Sequence, residues 1–483
     1  MVELLSEIWA AVVAVLTVLL SVVTAGHALI YKRDDKAAAG WVGLILLVPI
    51  GGAVLYVLLA INRIRRRATL LRAEMAQHKT GEFPVVSDDE AMQRVLPEQS
   101  HHLIALTRLV NSIARRSVLY GNEIDALCNG DEAFPAMLDC IEHAERSVGL
   151  STYIFDRDEV GTRFADALQG AVERGVEVRV LIDAAGVRYS WPSIVNELKR
   201  RRVPVARFAR TVMPWRWPYL NLRNHRKLLV VDGHTGFTGG MNIRAGHILA
   251  SNPERPIQDV HFRVRGPVVD HLVQTFREDW VFSTREQLAH QRWHTDLTPV
   301  GGVAARGLVD GPDEDFERLT WTILGALGMA RHSIKIVTPY FLPDSTLITA
   351  LNVAALRGVD VEIIIPEKNN LFLVQWAMGA RLWRVLHRGC RVYASRPPFD
   401  HSKLMLVDGA WALVGSANWD PRSLRLNFEF DIECYSPRFV ESLEGIFERK
   451  RAASRPVTKS ELDRRGLAVR IRDGAARLLT PYL

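Results

Sequence analysis

Two copies of one polar pattern contain the residues of this chain best suited to chemistry. Each copy has a histidine, a lysine two positions later, and then an aspartate, a glycine and an asparagine, with apolar residues between them. The first copy is His225, Lys227, Asp232, Gly239 and Asn242, and the second is His401, Lys403, Asp408, Gly415 and Asn418. Positions that all recur at one constant offset indicate an internal duplication. The sequence therefore predicts an enzyme of two lobes.

A histidine and a lysine two residues apart on an extended segment project from the same face and can contact one ligand. The imidazole can bond to phosphorus or carry a proton, while the ammonium group neutralises charge on the non-bridging oxygens of a phosphodiester. Two such pairs supply a nucleophile and an acid. A single pair is more often an ordinary strand edge, but its duplication favours catalytic roles for His225, Lys227, His401 and Lys403.

The apolar runs that follow these pairs have the length of strands buried on both faces. They are Leu228–Val231 and Leu404–Val407, and an Asp-Gly turn follows each of them. Asp232 and Asp408 belong to the repeated pattern, and we count them with the catalytic residues. Their place directly after a buried strand also suits residues that hold a turn.

Five further residues are expected to support the reaction. Asn242, Asn418 and Ser416 would supply hydrogen bonds to a phosphate in place of a metal. Asp259 and Glu429 lie downstream of the two patterns, and a carboxylate on the far ring nitrogen of a catalytic imidazole fixes its tautomer and stabilises the imidazolium. The sequence contains no cluster with metal-ligand spacing and no glycine-rich nucleotide loop, so we expect neither a metal nor a cofactor.

Apolar periodicity around each pattern alternates between helices and strands. The order of these elements from Phe134 to Ile182 returns in the second half, where Ala330–Ile334 aligns with Ala144–Val148. The alternation predicts the α/β class, with a mixed, largely parallel sheet flanked by helices in each lobe. The predicted boundaries are lobe 1 at 118–285, an interlobe connection at 286–313 and lobe 2 at 314–448.

Residues 1–67 are predicted to be a membrane anchor of two transmembrane helices. Ile8–Ile30 and Ala37–Ile61 contain no charged residue, and each is long enough to cross a bilayer core, which needs roughly 20 apolar residues. A cleaved signal peptide is the alternative for the first stretch, but Glu3 and Glu7 stand where a basic region would be. Pro49, Gly51 and Gly52 lie within the second stretch, where they are tolerable in a membrane helix and can kink it or let the two helices approach closely.

Basic residues beside the apolar stretches predict a multi-pass protein with a cytoplasmic catalytic domain. More of them follow the second stretch than lie in the connecting loop, and the N-terminal tail has none. The loop residues are Lys32, Arg33 and Lys36, and those after the second stretch are Arg63, Arg65, Arg66, Arg67 and Arg72. The cysteines are scattered and fit a reducing compartment. They are Cys128, Cys140, Cys390 and Cys434.

Three remaining segments are predicted to connect the lobes to the anchor or to contact lipid. Residues 68–117 are typical of a helical or loop connector, and His101 and His102 within it are interpreted as solvated rather than metal-binding. Arg207–Tyr219 interleaves aromatic and basic residues, which suits lipid headgroups, single-stranded nucleic acid or a folded aromatic cluster, and we favour the membrane. The basic tail 449–483 suits an anionic surface or a solvated cap on lobe 2. The formal net charge of +7 fits anionic phospholipid and nucleic acid alike.

At the repeated pattern the chain resembles the phospholipase D superfamily, whose signature is His-x-Lys-x4-Asp in two copies, and within it the bacterial cardiolipin synthases. The resemblance extends over most of the chain. It includes Arg223–Lys227, Thr238–Asn242, Thr338–Phe341, Arg422–Ser423, Asn427–Glu429 and Arg477–Leu483. Lobe 1 departs from the family at Gln258–His261, where Trp-Arg-Asp is usual.

The resemblance implies a phosphatidyltransferase of the bacterial inner membrane that makes cardiolipin and glycerol from two molecules of phosphatidylglycerol. It further implies that His225 is the nucleophile, forming a phosphatidyl-histidine, and that His401 is the general acid and base. A membrane-bound phospholipase D that uses water, or a nuclease of the same superfamily, would use the same histidines. The apolar stretches argue against nucleic acid as a partner, and a non-enzymatic scaffold would have no use for two His-Lys pairs.

Overall fold

The computed structural model of the protein describes residues 2–32, 35–57, 89–114, 116–208, 223–289, 291–295, 297–311, 317–478 and 480. Three predicted features lie outside these residues. They are the arginine-rich stretch after the second apolar segment, the aromatic residues Trp215, Trp217 and Tyr219, and the last three residues of the chain.

The N-terminal helices form one compact unit, and the remaining described elements belong to a second. The helices of the first unit are α1 (Val2–Tyr31), α2 (Asp35–Leu47) and α3 (Pro49–Leu55). Among the described residues one helix, Ser6–Tyr31, is long and apolar enough to span a bilayer. The prediction of a second continuous transmembrane helix is therefore wrong, because the helix breaks at Val48, at φ −132° and ψ 75°. Pro49 explains the break, since its ring disfavours a helical conformation in the preceding residue.

Helices α2 and α3 pack against each other and against α1. Gly52 lets α3 approach the end of α2 closely, because a Cβ there would lie 2.5 Å from the carbonyl oxygen of Leu44. Ile45 and Tyr56 are buried between the helices. The Tyr56 hydroxyl lies 2.7 Å from Nδ1 of His27 on α1, and such a polar contact between apolar helices adds to their association.

The second unit contains two lobes. Two helices precede them, α4 (Asp89–Val95) and α5 (Ile104–Ala114). The strands of lobe 1 are β1 (Leu119–Cys128), β2 (Ser147–Thr152), β3 (Glu177–Asp183), β4 (Val205–Phe208), β5 (Leu228–Val231), β6 (Thr235–Gly239), β7 (Ile257–Gln258) and β8 (Val260–Arg265). Its helices are α6 (Asn129–Glu142), α7 (Glu159–Glu173), α8 (Ile194–Arg200) and α9 (Val269–Thr284).

Lobe 2 repeats this succession of elements. Its strands are β9 (Val303–Asp310), β10 (Ser333–Val337), β11 (Asp360–Pro366), β12 (Arg391–Ser395), β13 (Phe399–Asp400), β14 (Leu404–Val407), β15 (Trp411–Gly415), β16 (Glu429–Tyr435) and β17 (Ser454–Val457). Its helices are α10 (Arg318–Met329), α11 (Ser345–Leu356), α12 (Phe372–Leu386), α13 (Pro437–Ala452), α14 (Lys459–Asp463) and α15 (Leu467–Leu478).

The described strands, apart from β7 and β13, form one 15-stranded sheet in the order β17-β12-β11-β10-β14-β15-β16-β9-β1-β8-β6-β5-β2-β3-β4. Strands β1 and β9 pair antiparallel at its centre. Outward from this pair the strand order is the same in both lobes, except for the added edge strand β17. The mixed α/β class is confirmed, and the shared strand order agrees with the predicted duplication.

The sheet is more antiparallel than predicted. Strands β2, β3 and β4 are parallel neighbours, as are β10, β11 and β12, whereas β5 and β6 form an antiparallel hairpin and so do β14 and β15. Asp232 and Asp408 begin the hairpin turns in the left-handed region, at φ 52° and 50°, and each is followed by a glycine with positive φ. A short turn of this kind makes its two strands antiparallel.

The segment predicted as a connector before lobe 1 belongs in part to the core of lobe 2. Met92, Leu106 and Val110 are fully buried in the hydrophobic cluster of that lobe. His102 is not solvated as predicted, because its Nε2 lies 2.7 Å from Oδ2 of Asp408. The apolar stripes of α4 and α5 are short and flanked by polar residues, so their burial was not evident from the sequence.

Two further segments are more ordered than predicted. Residues 303–310, expected within the interlobe connection, form the central strand β9. This strand was not predicted because it contains alanines, a glycine and the buried Arg306 in place of the β-branched and aromatic residues that are typical of strands. The tail expected from residue 449 also begins inside α13 and then adds β17 to the sheet beside β12.

Replacing Leu106 by alanine tests whether α5 belongs to the core. The side chain is fully buried, and removing such a leucine costs about 2–5 kcal/mol of unfolding free energy. We expect a loss in this range for the full chain in detergent, measured by chemical unfolding with near-ultraviolet circular dichroism. Ser112→Ala, on the exposed face of the same helix, should change the free energy by less than about 0.5 kcal/mol. An equally small effect of Leu106→Ala would show that α5 is only a linker.

Candidate active site

The junction between the lobes positions His225. Asn224 forms an isolated parallel bridge with Phe428 of lobe 2, and the backbone N–H of His225 donates to the carbonyl of Phe428 at 2.9 Å. The imidazole is buried, and its Nδ1 lies 3.0 Å from Oε2 of Glu429 on β16. The carboxylate that orients the lobe 1 histidine thus comes from lobe 2.

His401 has the reciprocal arrangement. Strand β13, which precedes it, pairs in parallel with β7 of lobe 1, and the N–H of His401 donates to the carbonyl of Gln258 at 2.8 Å. Nδ1 of His401 lies 2.9 Å from Oδ2 of Asp259. Both acids were predicted from the sequence, but their exchange between the lobes was not. The two patterns therefore share one site at the junction.

The two lysines are buried beside the histidines. Nζ of Lys227 donates to the carbonyl of His225 at 2.6 Å and lies 5.6 Å from the centre of the Tyr153 ring. Nζ of Lys403 donates to the carbonyl of His401 and lies 3.0 Å from Nδ1 of the same residue. Each ammonium group therefore faces the histidine two positions earlier, as extended chain geometry predicts.

Burial lowers the pKa of Lys227 to about 7 and that of Lys403 to about 8, because an ammonium group loses its hydration in the junction. The carboxylates of Glu429 and Asp259 oppose both shifts, while the ammonium group of Lys403 lowers the pKa of Lys227 further. The two amines therefore change charge close to neutral pH.

Burial also lowers the pKa of His225 and His401, which favours the neutral form of both rings. The pKa values of the two carboxylates are shifted in opposite directions. Burial acts to raise the pKa of each, but His225 and Lys227 hold that of Glu429 below its usual value, whereas the pKa of Asp259 stays raised despite the neighbouring Lys403. Glu429 is therefore the more firmly ionised of the two acids.

Two other side chains explain why Glu429 stays ionised. Oγ of Ser416 donates to its Oε2 at 2.6 Å, and Nδ2 of Asn427 donates to its Oε1 at 3.0 Å. Hydrogen bonds to an ionised carboxylate favour the charged form. Ser416 was predicted to bind phosphate, but the structure directs its hydroxyl to the carboxylate instead.

The asparagines of the repeated pattern hold the loops around the site. Oδ1 of Asn242 accepts a hydrogen bond from the N–H of Ile154 at 3.1 Å, and Nδ2 of Asn418 donates to Oγ of Ser423 at 3.2 Å. Oδ1 of Asn418 has no hydrogen-bond partner within the described ranges. Both asparagines thus act as supports here, and their contact with phosphate stays a prediction.

Gly240 occupies in lobe 1 the place of Ser416 in lobe 2, and this makes the two halves of the site unequal. A Cβ at Gly240 would lie 2.7 Å from both carboxylate oxygens of Asp259 and 3.0 Å from Nζ of Lys403. The ammonium group thus fills the space where lobe 2 has a hydroxyl. Nδ1 of His401 can donate to the carboxylate or accept from the ammonium group, but it cannot do both at once.

Asp232 and Asp408 do not join the site, which corrects their predicted catalytic role. Each lies beyond a four-residue strand from its lysine, about 16 Å away at the usual rise per residue. The carboxylate of Asp408 accepts the N–H groups of residues 331–333 at 2.7–2.8 Å, and that of Asp232 accepts those of residues 145–147 at 2.7–2.9 Å. These aspartates fix the turns that begin β10 and β2.

Two tyrosines that the sequence analysis did not single out line the site. The ring of Tyr153, after β2, is edge-on to that of His225 at 5.3 Å between centres. The ring of Tyr340, after β10, is edge-on to that of His401 at 6.3 Å. The sequence did contain a signal for them, because the two tyrosines follow strands that occupy corresponding positions in the two lobes.

No group of three or more His, Cys, Asp and Glu side chains that share a possible metal position occurs in the part of the chain that the structure describes. The positive charges that face the histidines belong to Lys227 and Lys403. Chemistry without a metal stays a prediction.

The fold and the crossed pairs define a class of protein in which two His-x-Lys lobes share one site for phosphodiester chemistry. The family model described as "Cardiolipin synthase, PLD-like domain" matches residues 137–280 and 323–451. The chain is 32% identical to the major cardiolipin synthase ClsA of Bacillus subtilis, with 99% of this chain and 100% of that protein covered. It is 30% identical to cardiolipin synthase 2 of Staphylococcus epidermidis, with 94% and 93% covered.

The crystal structure of phosphatidylserine synthase from Haemophilus influenzae is similar in fold. It has a TM-score of 0.62 at 16% identity and covers 78% of this chain and 100% of its own. The matches of the family model and of the two synthases extend over most of the sequence. The chain therefore belongs to the cardiolipin synthase family of the phospholipase D superfamily.

The lowered lysine pKa values predict that activity falls on the alkaline side of neutrality. Above pKa values of about 7 and 8, Lys227 and Lys403 of the free enzyme lose the charge that would stabilise phosphate oxygens, so kcat/KM should decline. The free energy of unfolding should change in the opposite direction. Between these values and the ordinary 10.5 the unfolded chain binds more protons, so the unfolding free energy rises with pH. Measurement of kcat/KM and Tm over the same pH range tests this, and a parallel fall of both would show alkaline unfolding instead.

Alanine substitutions should separate the site from the turns. His225→Ala and His401→Ala should each lower kcat by about a thousandfold or more in protein that remains folded. Asp408→Ala removes the acceptor of three backbone N–H groups and the contact with His102, and should lower the unfolding free energy by about 2–4 kcal/mol. Its turnover per folded molecule should stay within about threefold of the unmodified protein, since the carboxylate is remote from the histidines. Loss of turnover in folded Asp408→Ala protein would restore a catalytic role.

Proposed function

We propose that the protein is a membrane-anchored phosphatidyltransferase that converts two molecules of phosphatidylglycerol into cardiolipin and glycerol. The observation that carries the proposal is the pair of buried His–carboxylate contacts that cross between the lobes and bring two imidazoles and two lysines to one junction. Family membership, and similarity to cardiolipin synthases over nearly the whole chain, support this choice of reaction.

In the first half-reaction Nε2 of His225 attacks the phosphorus of one phosphatidylglycerol. A nitrogen–phosphorus bond forms while the bond from phosphorus to the glycerol oxygen breaks, and His401 gives that oxygen a proton. The products are a phosphatidyl-histidine and free glycerol. Lys227 and Lys403 neutralise the phosphate oxygens that take no part in the exchange.

The unequal carboxylates support His225 as the nucleophile. Firmly ionised Glu429 holds a proton on Nδ1 of His225, leaves the lone pair on Nε2 and stabilises the positive ring that forms on attack. His401 has both a carboxylate and an ammonium group beside Nδ1. A bound phosphodiester adds negative charge that raises the pKa of His401, so this ring takes up the proton that it gives to the leaving glycerol.

In the second half-reaction a hydroxyl of another phosphatidylglycerol attacks the same phosphorus. His401 takes the proton of that hydroxyl, a new phosphorus–oxygen bond forms, and the bond to His225 breaks. One phosphate ester has then replaced another, so the exchange is nearly isoenergetic and needs no nucleotide. Water competes for the intermediate, and the burial of both histidines restricts its access.

Vesicles that contain phosphatidylglycerol as the only phospholipid test the reaction. Purified protein should make cardiolipin and glycerol in equal molar amounts without a nucleotide or an added metal, and His225→Ala protein should make neither. Phosphatidic acid should be a minor product, because it records attack by water. Phosphatidic acid as the main product would make the enzyme a hydrolase, and a requirement for a cytidine-activated lipid would rule out the exchange mechanism.

We also propose that residues 1–67 anchor the enzyme in the bacterial cell membrane, with α1 crossing it, α2 and α3 returning, and the catalytic lobes in the cytoplasm. The basic residues after the second apolar stretch support this orientation. Cysteine labelling from outside intact cells should reach a probe placed near Asp34 but not one near Gly311. The opposite pattern would place the active site on the outer face.

A further inference from the structure

Large apolar side chains are exposed on the surface of lobe 2 beside the active site. They are Leu371, Phe372, Leu467, Ile471 and Leu478, which we call the apolar rim and which are between 50% and 74% exposed. The first two lie at the start of α12, and the other three lie on α15. An exposed patch of this kind usually marks a surface that contacts another molecule or a membrane.

Helix α15 has one apolar face and one face that packs against lobe 2. At about 100° per residue, Leu467, Ile471 and Leu478 fall within about 40° of one another around the helix. Asp473 and Ala476 lie on the opposite side and are buried, and α15 contacts α12. The outer face of α15 is therefore open in the described structure.

Contacts join α15, through α12, to the residues beside His401. The guanidinium group of Arg472 lies 4.7 Å from the centre of the Trp376 ring, which is 5.1 Å from the ring of Phe372. Asn370, two residues earlier, accepts a hydrogen bond from the hydroxyl of Tyr340 at 2.9 Å. Because Tyr340 stands beside His401, the α12 part of the apolar rim borders the site, and α15 packs against α12.

The charge along α15 is suited to an anionic surface. Arg470, Arg472 and Arg477 lie on the helix, while its one acidic residue, Asp473, is buried and paired with Arg472 and Arg465. The charge that α15 exposes is therefore positive. An exposed apolar face bordered by arginines is typical of helices that lie in the interface of an anionic bilayer.

Lobe 1 exposes aromatic side chains on its own side of the site. Tyr189 and Trp191 follow β3 and are 62% and 95% exposed. The ring of Tyr189 lies 6.2 Å from that of Tyr153, which contacts His225. Aromatic or apolar side chains therefore lie beside both histidines. Tryptophan and tyrosine are side chains that are enriched at membrane interfaces.

We propose that the apolar rim and the arginines of α15 dock on an anionic lipid bilayer and hold the opening of the active site at the headgroups. This contact is additional to the N-terminal helices. It rests on the proposed function in one respect, namely that the substrate is a bilayer lipid. A bilayer fits this surface better than an acidic protein does, because the apolar side chains are arranged as a continuous helical face rather than as a pocket.

A fluorescent probe at residue 471 tests the docking without turnover. The full-length protein is prepared as Ile471→Cys, with Cys128 and Cys140 changed to serine, and an environment-sensitive dye is attached to residue 471. It is then added to phosphatidylcholine vesicles with or without phosphatidylglycerol. We expect a blue shift and about twofold or greater quenching by lipids with a nitroxide near the headgroup when phosphatidylglycerol is present. Leu356→Cys is the matched control, because Leu356 is 67% exposed but ends α11 at the far end of the lobe from the histidines.

Equal quenching at residues 471 and 356 would overturn the proposal. A blue shift at residue 471 without quenching by lipid nitroxides would also overturn it, since protein rather than lipid would then cover the apolar rim. Quenching does not require catalysis, so an inactive but docked protein would contradict the proposed function and leave the docking intact.

Kinetics on mixed micelles of phosphatidylglycerol and detergent give a second test. The double variant Leu467→Glu and Ile471→Glu should raise the KM for surface phosphatidylglycerol about tenfold and leave kcat within about twofold, because it weakens docking and not chemistry. Leu356→Glu should change neither constant. An unchanged KM in the double variant, or a loss confined to kcat, would contradict the proposal.

Discussion

His225 and His401 each contact a buried carboxylate from the opposite lobe. Burial of a carboxylate is tolerated only when it is paired and hydrogen-bonded, and the pairs His225–Glu429 and His401–Asp259 meet this condition in both directions. Neither lobe contains a complete pair, so the site exists only where the lobes join. The central strands β1 and β9 make one sheet of the two lobes. The short bridges at Asn224 and between β7 and β13 then align the histidines across the junction.

The site has two similar halves with unequal chemistry. The hydroxyl of Ser416 helps to keep Glu429 ionised, whereas Gly240 leaves the corresponding space to the ammonium group of Lys403. A two-step exchange benefits from this inequality, because one ring must stay bonded to phosphorus while the other changes its protonation. The same junction lies next to exposed apolar and basic side chains, so the geometry that completes the chemistry also faces the expected source of its lipid substrate.

Both acids rest on the resemblance to the family, whereas the repeated pattern was sufficient to predict the histidines and the lysines, since their types and spacing recur in the two copies. It did not predict the crossing of the pairs, because spacing along the chain does not determine contacts between residues 204 and 142 positions apart. It also misplaced Asp232 and Asp408, which recur with the histidines because both hairpins need the same turn. Strand β9 was missed because of its composition. The second apolar stretch was predicted to tolerate a kink at Pro49, and the structure has a break between two helices there.

The crossed pairing is tested most directly by an artificial substrate, the nitrophenyl ester of phosphatidic acid, whose leaving group needs no proton. A burst of nitrophenol in a single turnover then requires only the nucleophilic histidine and its carboxylate. We expect His225→Ala and Glu429→Gln to lose the burst, and His401→Ala and Asp259→Asn to keep it while failing to make cardiolipin, because each acid serves the histidine of the other lobe. Loss of the burst in Asp259→Asn together with its survival in Glu429→Gln would contradict the crossed arrangement.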